Sequence, residues 1–379
     1  MENRKLTRQV KVGGLVIGGG APVRIQSMCT TPTRDVEATV RQIKGLEEAG
    51  CEIIRVACPK EEDALALGAI RKQINIPLVA DIHFNYRLAL IALDQGIDKL
   101  RLNPGNIGSR DRVEEVVKKA KERHVPIRIG VNGGSLEKDL LAKYGRPTPE
   151  ALVESATRHV RILEELDFFD TIISLKASDV PTMVQAYRLA AKQFDYPLHL
   201  GVTEAGTLLR GSVYNAIGVG TLLQEGIGDT IRISLSADSV EEVKVARFIL
   251  EALELRKFGP RIVACPSCGR AEVDVFKLAS EIETRAMKLK DPLTISVLGC
   301  VVNGPGEAHE SDFGVTGGKE KGMLYVNGEQ KRVVREEDLV DELFREIEKS
   351  KEKSELKPCH SERSPELFSE GQSEESSNR

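Results

Sequence analysis

Between residue 22 and about residue 255 the sequence repeats one pattern eight times: a short apolar, β-branched run, then an amphipathic stretch with helical spacing. The runs are VRIQSM (23–28), EIIRVA (52–57), PLVADIH (77–83), DKLRLNPG (98–105), PIRIGVN (126–132), DTIISLKAS (170–178), PLHLGVTEAG (197–206) and DTIRISLSAD (229–238). Helix patterns such as TRDVEATVRQIKGLEEAG and SRDRVEEVVKKAKERH lie between them. Strand–helix alternation makes neighbouring strands parallel, joined by right-handed crossovers. Eight units in roughly 230 residues match a closed (β/α)8 barrel better than an open doubly wound sheet.

The expected fold is therefore α/β, a TIM-type barrel over residues 21–258, preceded at 1–20 by a hairpin in RQVKVGGLVIGGG. Gly18-Gly19-Gly20 is followed by Ala-Pro and no helix-opening GK[ST], so it reads as a turn and not as a phosphate loop. The fifth unit has the longest connection, GGSLEKDLLAKYGRPT, and a long βα connection on a barrel is expected over the active site. A Gly-Pro pair at 259–260 ends the last helix and the pattern changes. Residues 259–350 read as a small α+β domain: strand RIVA, helix EVDVFKLASEIETRAMKLK, strand LTISVLG, glycine-rich loops, a hairpin KGMLYVNGEQKRVV turning at Asn-Gly, and a final helix. Residues 351–379 are rich in Ser and Glu and nearly without apolar side chains, so disorder is expected there, with Cys359 and His360 incidental.

Lys+Arg total 54 against Asp+Glu 58, and this near balance leaves no global basic footprint for nucleic acid. Trp is absent and aromatics make up 4%, which removes the stacking platforms that single-strand binding needs. No apolar window is long enough for a signal peptide or a membrane span, so a soluble cytoplasmic protein is expected. Any anion site must then be local.

Side chains at the C-terminal ends of barrel strands converge on the active site. Read in order, those ends offer Arg24, Arg55, Asp81, His83, Arg101, Asn103, Arg128, Asn132, Lys176, His199, Glu204, Arg232 and Ser234. Five of the runs carry an Arg and a sixth carries a Lys, with few carboxylates beside them. A single such Arg is commonly a structural ion pair. Six cations together imply a bowl for a polyanion, because guanidinium forks match phosphate oxygens. Glu204 is the exception: a carboxylate among cations is either a proton donor or a fixed anion. Asp81 and His83 invite a metal reading, but lack a third ligand.

Seven cysteines in a chain without an export signal point to metal or redox chemistry, not to a disulfide framework. Cys29, Cys51 and Cys58 lie in apolar runs and read as buried free thiols. Cys265-Pro-Ser-Cys268 and, farther on, Cys300 in a Gly/Pro/Asn-rich loop suit an iron–sulfur cluster best, with Glu307 a candidate fourth, oxygen ligand. A zinc site closed by His309 and a simple dithiol pair remain alternatives.

The opening VRIQSM region, RLNPGN (101–106), VTEAG (202–206), CPSCGR (265–270) and LGCVVNGPGE (298–307), in this order, closely resemble the bacterial 4-hydroxy-3-methylbut-2-enyl diphosphate synthase family over residues 5–350. The resemblance implies reductive ring opening and dehydroxylation of 2-C-methyl-D-erythritol 2,4-cyclodiphosphate, a step in isoprenoid precursor synthesis. It implies two electrons from flavodoxin or ferredoxin, and a 4Fe–4S cluster on Cys265, Cys268, Cys300 and Glu307. It further implies diphosphate binding in the cationic bowl, Glu204 as proton donor, and a head-to-tail homodimer. The other reading of the chain is a redox-silent phosphosugar lyase or aldolase, with Lys176 forming a Schiff base and the cysteines holding structural zinc.

Overall fold

Eight short parallel strands close on themselves, and their polar inner faces set this barrel apart. A computed structural model describes residues 4–300, 302, 304–318 and 321–355, the last three for their backbone alone. Two strands come first, β1 (Val10–Val12) and β2 (Leu15–Ile17). The barrel strands are β3 (Arg24–Met28), β4 (Ile53–Ala57), β5 (Leu78–Asp81), β6 (Lys99–Arg101), β7 (Ile127–Asn132), β8 (Thr171–Lys176), β9 (His199–Leu200) and β10 (Thr230–Ile231). They are ordered β8-β7-β6-β5-β4-β3-β10-β9, and a parallel bridge between Ile173 and Leu198 joins the two ends. The expected eight-stranded barrel is thus present, with each strand inside its predicted run.

The helices form where capping residues precede amphipathic stretches. The helix Val36–Ala49, for example, opens on Asp35, whose carboxylate accepts from the Ala38 amide at 3.1 Å, and stops at Gly50 with φ of 107°. At the other end of the strands, Val10, Val12 and Ile17 of the β1–β2 hairpin pack onto Ile53, Val79 and Ile172. These three barrel residues are the first or second of their strands, so the hairpin seals the N-terminal mouth. Each fully buried aliphatic side chain there contributes roughly 1.5–3 kcal/mol. A barrel interior is ordinarily filled by branched aliphatics. Above this plug it is filled instead by buried Gln26, Arg55, Asp81, Lys99, Arg101, Arg128, Ser174 and His199.

The chain divides between Lys257 and Phe258 into two units. The second holds a five-stranded sheet, β11 (Arg261–Ala264), β12 (Thr294–Leu298), β13 (Phe313–Gly318), β14 (Lys321–Val326) and β15 (Glu329–Arg335), in that order. The first three run parallel and the last two antiparallel. Helices Val275–Ala286 and Leu339–Glu355 share one core with Ile295, Val297, Phe313, Val315 and Leu324, while Ala308 of the short helix Gly304–His309 packs with Leu298 and Tyr325. Sequence reading leaves FGVTGG as a glycine-rich loop; it is β13, held on both sides by ladders, so tertiary pairing overrides its weak local propensity. The last helix runs to Glu355, past residue 351, and the remaining tail with Cys359 and His360 lies outside the described residues. No helix among the described residues is long and apolar enough to cross a membrane.

Candidate active site

Strand parity puts every second side chain inside the barrel, and four strands send basic groups to one place. Asp81, the last residue of β5, is the hub: its Oδ1 lies 3.1 Å from Arg101 Nη1 and its Oδ2 lies 3.5 Å from Arg55 Nε. Burial pushes the Asp81 carboxyl up, but Arg55, Arg101, Arg128 and His83 together hold it below the usual carboxylate range. Arg55 also donates to the Met28 thioether, and burial lowers it to about 10 against the pull of Asp81. Arg101 donates to the Gly130 carbonyl at 2.8 Å. His83, more exposed, sits 3.4 Å from Asp81 and 3.0 Å from Arg101, and its pKa is lowered by burial and by that arginine.

Arg128 is fully buried, and none of its three guanidinium nitrogens has a hydrogen-bond partner among the described residues. A guanidinium stays protonated in proteins, so this buried charge lacks hydrogen bonds and shares the single carboxylate of Asp81 with Arg55 and Arg101. Beside it, Lys99 reaches across the interior to Gln26 Oε1 at 3.1 Å. Burial, then Arg128 and Arg55, drive the Lys99 pKa well down. Lys176, at the end of β8, is pushed the same way by burial and by Arg55, Arg128 and Arg101. His199 is buried, bonded through Nδ1 to Thr230 Oγ1 at 2.7 Å, and held well below its ordinary pKa by burial and the same cations. The interior is an anion site in electrostatic terms: several cations repel one another around a single central carboxylate.

The structure sorts the residues read from the sequence. Arg55, His83, Arg101, Arg128 and Lys176 converge, and Asn132 ends the same strand as Arg128, its Oδ1 accepting from Gly134 N at 3.1 Å. Arg24 does not join them: it is the first residue of β3, at the opposite mouth, paired with Glu52 at 2.7 Å in a network with Arg256. It is kept out of the bowl by Glu52, which also binds Arg256 at 2.6 Å. Asn103 spends both ends of its amide on Gly130, at 3.0 and 2.8 Å, and so splices the β6 loop onto β7. Arg232 is partly neutralised by Glu242 at 3.0 Å, a carboxylate that sequence reading missed because it lies on the helix Ser239–Ala252. Ser234 lies beyond β10, its carbonyl accepting from Asn215. Lys99 was missed as well, although its parity with Arg101 on one strand signalled it.

Glu204 is exposed and joins no ion pair among the described residues, so it is not the arginine-encircled carboxylate that the sequence suggests. Its backbone is unusual: φ is 55°, the left-handed region that costs a residue with a side chain about 1 kcal/mol or more. Among the described residues, six non-glycine positions adopt such angles. Three of them, His124, Asp167 and Glu254, follow helix ends, and Asn327 turns the β14–β15 hairpin. The other two are Glu204 and Ser267, the latter between Cys265 and Cys268. Strain thus falls on both stretches that the motifs single out.

In the second unit, Cys265 directly follows β11, and its sulfur accepts from the Gly299 amide at 3.3 Å, just past the neighbouring strand β12. Cys268 is exposed; hydrogen bonds from Arg270 lower its pKa, and Arg270 also interacts with Cys300. Glycines keep the ground around them bare: a Cβ on Gly299 would lie 2.7 Å from Val275, and one on Gly317 would strike the Gly299 carbonyl. Glu307 is exposed on the helix Gly304–His309. His309, the proposed zinc partner, lies against Gly328 in the hairpin turn. No group of three or more His, Cys, Asp or Glu among the described residues is drawn together as for a single metal ion. The donors instead fit a larger inorganic group: soft thiols at neighbouring strand ends, an amide already donating to sulfur, and glycines where such a group needs close backbone approach. Cys29, Cys51 and Cys58 are buried, and burial pushes each thiol up to about 12.

Residues 7–247 match the GcpE TIM-barrel domain, and residues 261–349 match the GcpE protein C-terminal domain. Proteins named 4-hydroxy-3-methylbut-2-en-1-yl diphosphate synthase (flavodoxin) are similar along nearly the whole chain. The one from Geobacillus thermodenitrificans is 60% identical, covering 92% of this chain and 93% of its own. Those from Macrococcus caseolyticus and Clostridium perfringens are 58% and 57% identical, covering 92% and 91% of this chain and 94% and 99% of theirs. The chain belongs to the GcpE family, the 4-hydroxy-3-methylbut-2-en-1-yl diphosphate synthases.

Proposed function

We propose that the chain converts 2-C-methyl-D-erythritol 2,4-cyclodiphosphate to (E)-4-hydroxy-3-methylbut-2-enyl diphosphate and water, in the cytoplasm, with flavodoxin or ferredoxin as electron donor and as a head-to-tail homodimer. The overall change takes up two electrons and two protons; one carbon–oxygen bond to phosphate opens and one hydroxyl leaves as water. The observation that carries the reading is an interior with several cations around the single carboxylate of Asp81, where Arg128 has no hydrogen-bond partner among the described residues. A cyclic diphosphate supplies the missing anion, and Arg55, Arg101, Arg128 and Lys176 fix its orientation. Asn132 offers its amide nitrogen, and Arg232 and Ser234 complete the rim. Glu204, raised on a strained turn, holds the proton for the departing hydroxyl.

Cys265, Cys268, Cys300 and Glu307 would hold a 4Fe–4S cluster, which when bound supplies the two electrons one at a time. Arg270 and the Gly299 amide stabilise sulfur in its charged form through hydrogen bonds. The lyase or aldolase reading finds no support in the relatives' names.

Anaerobic purification followed by iron and sulfide analysis, with turnover driven by reduced flavodoxin, tests the proposal. About four iron and four acid-labile sulfides per chain are expected. Stoichiometric zinc without sulfide, or iron-loaded protein that leaves the cyclodiphosphate intact, rejects it.

A further inference from the structure

The turn after β6 rests on a histidine that belongs to another element. Gly105, in the 3-10 turn Pro104–Asn106, donates its amide to His159 Nδ1 at 3.1 Å. His159 is buried on the helix Pro149–Glu164, and a Cβ on Gly105 would lie 2.8 Å from its Cε1. An Nδ1 that accepts from an amide carries no proton, so the ring proton sits on Nε2. That atom lies 3.4 Å from Glu137 Oε1, which also accepts from Ser155 Oγ at 3.0 Å. Glu137 precedes the helix Lys138–Tyr144, on the long connection after β7. The His159 contact helps hold its carboxyl at about 2.

One imidazole therefore touches the two loops that follow β6 and β7. Those strands carry Arg101 and Arg128, and the loops begin at Asn103 and Asn132. Inside the barrel the β6 loop is tied to strand β7 itself by the Asn103–Gly130 pair. We propose that His159, oriented by Glu137, is a positioning residue for the anion bowl, fixing the β6 loop against the β7 connection so that Arg101 and Asn132 meet a diphosphate in one arrangement. The inference rests on the diphosphate reading of the bowl. His159 touches no substrate atom; it acts through Gly105.

Calorimetric titration of inorganic pyrophosphate into the anaerobically purified full chain tests this, beside steady-state kinetics. His159→Leu keeps the packing volume but cannot accept from Gly105, and roughly tenfold weaker pyrophosphate binding is expected, with iron content and circular dichroism unchanged and kcat/KM lost mainly through KM. His159→Asn offers Oδ1 to the Gly105 amide and is expected to recover most of the affinity. Glu137→Gln, a milder change on the surface side, serves if the leucine variant misfolds, and is expected to weaken binding severalfold. Wild-type affinity in the leucine variant, or equal losses in the leucine and asparagine variants, overturns the positioning role. If wild-type protein does not bind pyrophosphate, or if Arg101→Met leaves binding unchanged, the diphosphate reading fails first, and the two failures are told apart.

Discussion

Asp81 Oδ1 lies 3.1 Å from Arg101 Nη1, inside a barrel where branched aliphatics ordinarily meet. The pair is buried on both sides, so removing the carboxylate leaves Arg55 and Arg101 without a counter-charge. Breaking a buried pair from one side costs about 3 kcal/mol. Asp81→Asn is therefore expected to unfold at lower denaturant, and an added polyanion is expected to offset much of the loss. Pyrophosphate at 100 times its Kd restores about 2.7 kcal/mol. The sign with pH follows from the lowered carboxyl pKa: the Asp81 contribution is fully present above the unfolded value near 4 and disappears as the solution is acidified through the folded value. Urea melts at several pH values, with and without pyrophosphate, check both statements; equal stability of variant and wild type above pH 5 contradicts them.

Arg128 sets function against stability. Its three orphaned nitrogens are a burden on the ligand-free fold, and an apolar side chain of similar length relieves it. Arg128→Met is expected to raise the unfolding free energy by about 1 kcal/mol or more while weakening pyrophosphate binding at least tenfold. Denaturant melts and calorimetry on one preparation measure the two together. A variant that is less stable and still binds would mean that the guanidinium serves the fold.

The barrel was legible because eight short apolar runs alternate with amphipathic helix patterns at near-regular spacing, so local signals agreed with the tertiary answer. The cationic interior was legible for the same reason: an Arg at the inner parity of an apolar run has few structural excuses. Arg24 misled because parity says which face a side chain takes, not which mouth of the barrel it reaches; that depends on where the ladder begins. Glu242 and the His159–Gly105 contact left no local trace, since each joins a helix side chain to a different element. The strand FGVTGG was hidden by its glycines, which are there because Gly314 and Gly317 leave no room for a Cβ.

The cysteines divide by environment, and iron content should follow that division. Cys29, Cys51 and Cys58 are buried with thiols pushed up to about 12, a poor state for a thiolate ligand. Replacing all three by Ala is expected to leave iron and sulfide at wild-type levels, at a stability cost of about 1 kcal/mol each for the lost packing. Cys265→Ala, Cys268→Ala and Cys300→Ala are each expected to remove most of the bound iron. Glu307→Ala is expected to retain the iron with a changed electronic spectrum, because a single oxygen donor is the weakest of the four. Iron assays on these five variants beside wild type read this directly, and full iron in Cys300→Ala would take that residue off the ligand set.

Glu204 separates strain from chemistry most cleanly, since its φ of 55° is a fact about the backbone and its carboxylate a fact about the side chain. Glu204→Gly removes both: glycine accepts the left-handed angle freely, so the folded protein is expected to gain up to about 1 kcal/mol, part of it offset by the looser unfolded chain. Turnover should be abolished. Glu204→Gln keeps the strain and removes the transferable proton, so stability is expected to match wild type while kcat falls roughly 10²–10⁴-fold with iron content unchanged. Glu204→Asp keeps the proton on a shorter arm, and its turnover should fall between wild type and the glutamine variant. If the turn were strained for packing alone, glycine would destabilise it; if the carboxylate were a bystander, glutamine would turn over normally. A proton donor on a strained turn requires the opposite pair of results, a glycine variant more stable and inactive and a glutamine variant equally stable and nearly so.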